Sequence, residues 1–390
     1  MRQQTPKRAL QLAAVSVFAM LACWFSWAGQ SRAANQTYGL VVHGQTLNTA
    51  VEPNRTVPDG HYVGNQACGQ CHADIVKSQK STPMGLALYF SKDSRILHDN
   101  PHLVFHEGQY TYNIDTKGGH TVFSVSDGKI TISEPVTWAF GKGLAGQTYV
   151  FQHNGRYIEG RVSYYTGVKN LDITVGHPTS LPRSIEDAIG RPMGADETLA
   201  CFGCHTSRAA TPAKLEVDHV VPGVTCESCH GPGEKHIAAI KSGKVDEAGI
   251  YNPGTLATED VLNFCGACHR TWEQVGLLGL RGVNNVRFQP YRLTNSKCYD
   301  ADDRRISCIA CHDPHEDLKH DAAFYDSKCT ACHTTDPTAS KSGNRVARIC
   351  PVGKQDCAGC HMPKYDLPGG HYKFSDHDIR IVRQGDPYPN

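Results

Sequence analysis

Fourteen of the seventeen cysteines fall into seven C-x-x-C pairs, and a histidine directly follows every pair. The runs are Cys68-Gly-Gln-Cys71-His72, Cys201-Phe-Gly-Cys204-His205, Cys226-Glu-Ser-Cys229-His230, Cys265-Gly-Ala-Cys268-His269, Cys308-Ile-Ala-Cys311-His312, Cys329-Thr-Ala-Cys332-His333 and Cys357-Ala-Gly-Cys360-His361. Two thiols at this spacing can form thioethers with the two vinyl groups on one edge of a porphyrin. The adjoining imidazole then reaches the iron as its proximal ligand. The pattern predicts seven covalently bound haems c, each held by its two cysteines and its histidine.

Other uses of paired cysteines fit less well. Structural zinc sites combine pairs in twos around a tetrahedral ion, and seven pairs do not divide that way. Disulfide scaffolds belong to short secreted chains. Thioredoxin-like redox pairs occur singly on a strand-to-helix turn.

The N-terminal residues point to export. Arg2, Lys7 and Arg8 precede a mostly apolar run over residues 9–28, and no acidic residue occurs before Glu52. That is the form of a leader over residues 1–33, cleaved after Ala33. Two rival readings stay open: the apolar run as a retained membrane anchor, and Cys23 as a lipid attachment point. All three export the chain, to the periplasm with membrane-anchored or extracellular alternatives. The net charge of +1 shows no basic excess, which argues against nucleic acid as a partner. The leader carries four cations (Arg2, Lys7, Arg8 and Arg32) and no acid, so its removal takes the +1 to −3.

The motifs are unevenly spread. One stands near the N-terminus and six crowd into residues 201–361, with a long gap between Cys71 and Cys201. The crowded half has little room for an apolar core of its own, so porphyrins must supply much of its buried surface. The long gap reads as short alternating strands. Tyr110, Tyr112 and Ile114 alternate, and Asp127-Gly128 and Asn154-Gly155 are hairpin signals. These observations predict a leader (1–33), a segment carrying the first haem (34–98), a β-rich insert (99–176) of five to seven antiparallel strands, and a six-haem block (177–390). The expected fold is that of a multihaem cytochrome, mainly short α-helices and loops wrapped around stacked haems, with a small inserted antiparallel β segment. The insert is expected to pack over the first haem or to present a docking face.

Several stretches together resemble one family. They are Tyr62-Val-Gly-Asn-Gln-Ala-Cys68, Ser81-Thr-Pro-Met84, Val162-Ser-Tyr-Tyr165, Gly223-Val-Thr-Cys226-Glu-Ser-Cys-His-Gly-Pro-Gly233, Tyr291-Arg-Leu293, Cys308-Ile-Ala-Cys-His-Asp-Pro-His315 and Cys360-His-Met-Pro-Lys364. The chain resembles multihaem cytochromes related to the tetrahaem electron carriers of ammonia oxidisers, in the tetratricopeptide-associated branch with doubled C-x-x-C-H motifs. It has seven motifs and no tetratricopeptide helices. The resemblance implies electron transfer through closely packed haems.

It also implies candidates for the sixth iron ligand. Met84, in the family's Ser/Thr-x-Met position, is the candidate for the first haem, with a buried core methionine as the alternative. His315 is the family's candidate distal ligand to a neighbouring haem, and His236 resembles the ligand beyond the glycine-proline turn. His371 and His377 follow the last motif at a similar reach, and either can return to an earlier haem. His61, His106, His177, His219 and His320 form a reserve. Cys298 and Cys350, outside all motifs, form a candidate disulfide.

Two functions from different classes follow. The first is an exported heptahaem electron carrier in respiratory or extracellular electron transfer, with other cytochromes or a membrane quinol-linked complex as partners. The second is an oxidoreductase acting on a small nitrogen or sulfur compound at one open haem. Related nitrite reductases mark the catalytic haem with lysine in place of the motif histidine, and all seven motifs here end in histidine. No catalytic residue stands out, and the reading favours the carrier. Membrane association through residues 9–28 or Cys23, and assembly into an oligomer or filament, remain open.

Overall fold

The computed structural model describes residues 41–42, 45–46, 60–209, 215–333, 350 and 352–389. The leader, the anchor alternative at residues 9–28 and Cys23 lie outside the described residues. The chain divides into a unit of residues 1–48 and a unit of residues 49–390. In the first, the described residues form one antiparallel pair, β1 (Val41–Val42) with β2 (Gln45–Thr46).

The second unit is built on an antiparallel sheet of nine strands between Leu88 and Pro192: β3 (Leu88–Phe90), β4 (His102–Glu107), β5 (Tyr110–Lys117), β6 (His120–Ser126), β7 (Thr131–Phe140), β8 (Gln147–His153), β9 (Arg156–Tyr165), β10 (Asn170–Ile173) and β11 (Gly190–Pro192). The strand order is β10-β9-β8-β7-β6-β5-β4, with β11 added to β9 and β3 to β7. Because β10 comes back to lie against β4, the sheet is barrel-like. Both turn signals are used. Asn154 and Gly155 have φ of 49° and 72° and close a two-residue hairpin between His153 and Arg156. At the other, the Asp127 carboxylate accepts the N–H groups of Lys129 and Ile130 at 2.9 and 2.8 Å.

Alternation decides what the sheet buries. Tyr110, Tyr112 and Ile114 point inward with Phe123, Val125, Tyr149, Phe151, Ile158 and Val162, forming the larger hydrophobic core. A second core lies where Leu88, Trp138, Phe140 and Val150 meet Met193 and Phe202. Phe202 belongs to the helix Ala195–His205, which carries the second motif. Its ring stands edge-on to Trp138 at 5.1 Å and to Phe140 at 5.2 Å. The sheet thus serves as the seat of the second motif. Phe202 is fully buried, so Phe202→Ala is expected to cost about 3–5 kcal/mol. Urea unfolding of the haem-loaded protein checks this; a midpoint unchanged from wild type would contradict the packing.

The expected fold, mainly short helices around haems with a small β insert, is overturned. The extended sheet is the principal element, and the buried members of both hydrophobic cores lie at or before Ala209. The physical reason is local. Strands β3 and β11 are only three residues long, too short to show a period of their own. They are recruited by the unpaired stretches of the long strands β7 and β9. The remaining described residues are short helices, loops and two small antiparallel pairs, β12 (Thr206–Arg208) with β13 (Val221–Pro222) and β14 (Lys364–Asp366) with β15 (Lys373–Ser375), and no helix among them is long and apolar enough to cross a membrane.

Candidate haem-binding cavity

The motifs sit on, or at the ends of, short helices: Asn65–Cys68, Ala195–His205, Cys226–His230, Thr258–His269, Cys308–Cys311, Ala322–Thr330 and Cys357–His361. In a helical turn, residues i, i+3 and i+4 share a face, so two thiols and an imidazole project together. All fourteen motif cysteines and all seven motif histidines border one continuous cavity of about 3840 Å³. A site for one small ligand occupies about 300–1,000 Å³, so this space suits several large groups lying side by side.

Burial pushes Cys68 up to about 11 and Cys201 up to about 12 and raises Cys226, Cys311 and Cys329, while the hydrogen bond with Cys265 holds Cys308 below the ordinary thiol value. Among the described residues, no group of three or more His, Cys, Asp or Glu side chains is arranged to hold a metal ion. Instead, first cysteines of different motifs meet. Cys68 hydrogen-bonds Cys226, Cys265 hydrogen-bonds Cys308, and Cys329 hydrogen-bonds Cys357. The edges at which porphyrins would attach therefore lie next to one another.

The imidazoles are oriented by their second nitrogen. His205 donates from Nδ1 to Ala87 O at 2.8 Å, His230 to Tyr251 O at 2.8 Å and His361 to Arg380 O at 2.8 Å. A histidine whose Nδ1–H is given to a carbonyl keeps its Nε2 lone pair for a metal. Burial lowers the pKa of His205, His269 and His312 below the ordinary histidine value. These rings are neutral at pH 7, the form that ligates iron. The residues present fit haem c.

The same criterion sorts the histidines outside the motifs. His236, His315, His320 and His377 border the cavity, as does Met84. His236 donates from Nδ1 to Ala248 O, His377 to Ser375 O at 3.1 Å, and His315 to the Asp313 carboxylate at 3.0 Å. Burial, with His312 close by, pushes His377 down to about 4. Two pairs of rings face each other: His230 and His315 with centroids 6.0 Å apart and planes 12° apart, and His312 and His377 at 6.2 Å and 46°. A metal–imidazole bond is about 2.0–2.1 Å, and a ring centre lies roughly one ångström beyond its nitrogen, so two imidazoles on one metal have centroids about 6 Å apart.

His371 is placed differently. It does not border the cavity; its Nε2 bonds Asp172 at 2.7 Å and its ring stands on Tyr165. His177 likewise spends Nε2 on Glu159. His61, His106 and His219 do not border the cavity either. Cys298 and Cys350 both border it.

The first motif does not stand apart, contrary to its isolation along the chain. The buried Glu227, inside the third motif, accepts the N–H groups of Val63 and Gly64 at 2.8 Å each and of Gly233 at 2.9 Å. Gln79 Nε2 donates to Val224 O, and Val224 N donates to Met84 O. These bonds seat residues 60–85 on the third motif, while the sheet supports the second. The carbonyls that orient the imidazoles went unrecognised in the sequence, because a backbone oxygen has no residue type to mark it.

Comparison with known proteins finds partial similarity to cytochromes. Residues 182–231 match the family of cytochrome c554 and c-prime. Over 200 residues the chain is 24% identical to the multiheme cytochrome MtrA of Shewanella baltica (strain OS185), covering 48% of this chain and 49% of that protein. The chain thus spans about half the length of the curated relative it matches. It also shows a likeness to the solved outer cell wall cytochrome OcwA, with 21% identity over 53% of this chain and 37% of that one, and a TM-score of 0.30. Together with the motifs, the first two matches support a multihaem c-type cytochrome.

Proposed function

We propose that the chain is an exported electron carrier holding seven haems c, acting in respiratory or extracellular electron transfer. The observation that carries this reading is the single cavity bordered by all fourteen motif cysteines and all seven motif histidines. When bound, haem supplies iron centres that each accept and release one electron. The protein's part is to hold those centres close together, keep them dry and fill their coordination positions. The contacts Cys68–Cys226, Cys265–Cys308 and Cys329–Cys357 support attachment of neighbouring groups edge by edge.

His315 is assigned opposite His230, and His377 opposite His312, from the facing ring pairs. Met84 is assigned to the first haem and His236 to a further one, each bordering the cavity. His371 is left out because Asp172 occupies its Nε2. Ligands on both sides of an iron leave no exchangeable position, which suits a carrier rather than a catalyst. Residues 1–33 export the chain, and residues 34–98, 99–176 and 177–390 are its first-haem, β-rich and six-haem parts. Its partners are other cytochromes or a membrane quinol-linked complex. A Cys298–Cys350 disulfide would close the loop around the fifth and sixth motifs.

Intact-mass measurement of the exported protein is expected to show seven haems; a smaller number would refute the count. The oxidised protein should show a methionine–iron charge-transfer band that Met84→Leu abolishes, and a band that survives removes Met84 from the first haem. Repeated turnover of nitrite or sulfite by the reduced protein would overturn the carrier reading.

A further inference from the structure

His377 is flanked by two buried acids, Asp376 and Asp378, and both are gripped by one side chain. Arg292, on the helix Gln289–Thr294, is 1% exposed. Its Nε and Nη2 donate to the two oxygens of Asp376 at 2.8 and 3.0 Å, and Nη2 also reaches Asp378 at 3.2 Å. Tyr388 lies beneath the guanidinium at 4.7 Å. Arg380 adds a third side-chain bond to Asp376 at 2.7 Å. A few residues past Arg292, Ser296 Oγ donates to His377 O at 2.7 Å and accepts Ile379 N–H at 2.8 Å. The backbone is therefore fastened immediately before, at and after His377.

Buried ion clusters gain little stability, because desolvation offsets their attraction; their better-attested use is to specify one geometry. A bidentate guanidinium is suited to that, since its planar fork fixes direction as well as distance. The geometry needing to be specified here is that of the imidazole facing His312.

We propose that Arg292 is a positioning residue: by clamping Asp376 and Asp378 it holds His377 on the iron of the fifth motif and keeps that haem closed to external ligands. This rests on the reading of His377 as a sixth ligand, and the test separates the two. The haem-loaded protein is reduced and titrated with carbon monoxide, which binds only where a coordination position opens. His377→Ala is expected to bind carbon monoxide at one more haem per chain than wild type. Arg292→Met is expected to open that same haem, and the double variant to open no additional one. Asp378→Asn leaves the Arg292–Asp376 pair intact, so it should fold and open the same haem to lower occupancy at equal carbon monoxide concentration.

If His377→Ala binds no more carbon monoxide than wild type, the ligand reading fails and the clamp with it. If His377→Ala opens a haem but Arg292→Met and Asp378→Asn stay as closed as wild type, the clamp alone is refuted. Opening of several haems in Arg292→Met would equally refute it, as the mark of general loosening. If Arg292→Met does not accumulate, Asp378→Asn decides the matter.

Discussion

Produced without haem attachment, or with its fourteen motif cysteines changed to serine, the chain is expected to fold only over its sheet. Limited proteolysis should leave a resistant fragment covering residues 88–192 and digest residues 215–389. Without haem the cavity of about 3840 Å³ fills with water, the motif helices lose the surface they pack on, and helices of four to twelve residues do not persist alone in water. The sheet does not share this dependence, because Tyr112, Phe123, Tyr149 and Phe151 bury one another without any cofactor. A haem-free chain with the cooperative unfolding and protease resistance of the loaded protein would refute the expectation.

Glu227→Ala is expected to destabilise the haem-loaded protein by about 2–4 kcal/mol, because three N–H donors lose one acceptor together. Glu227 is 3% exposed, and its two oxygens bind Val63, Gly64 and Gly233. Two of these donors belong to the segment leading into the first motif, so the loss should also raise the rate of proteolysis near residues 60–69. Glu227→Gln makes the test sharper. Oε1 takes two of the N–H groups and Oε2 only one, so an amide oxygen can replace the first while its NH₂ opposes Gly64. An intermediate loss is expected for the glutamine variant. Urea unfolding with a midpoint equal to wild type in both variants would show that the third motif does not anchor the first.

The strands illustrate how far local pattern reaches. Alternation at Tyr110, Tyr112 and Ile114 and the turn at Asn154-Gly155 were legible because both are set by neighbouring residues: side-chain direction has a period of two, and the turn needs positive φ at both positions. The size of the sheet was not legible. β3 and β11 exist only because β7 and β9 offer unpaired edges to segments that have no strand signal of their own. The same limit hid the seat of the first motif. Separation along the chain says nothing of a hydrogen bond from Val63 to Glu227.

Attachment of haem is a local property. Two thiols three residues apart and an imidazole on the next residue lie on one face of a single helical turn, so the seven attachment sites follow from residue type and spacing with no knowledge of the fold. The sixth ligand is not local, because any histidine has the chemistry and packing decides which one can use it. His371 and His377 lie in one short segment and read alike. The fold gives the first ring's Nε2 to Asp172, while it ties the second ring's Nδ1 to Ser375 O and faces it toward His312. One hydrogen-bond acceptor placed beside one nitrogen or the other makes the difference, and only the folded chain puts it there.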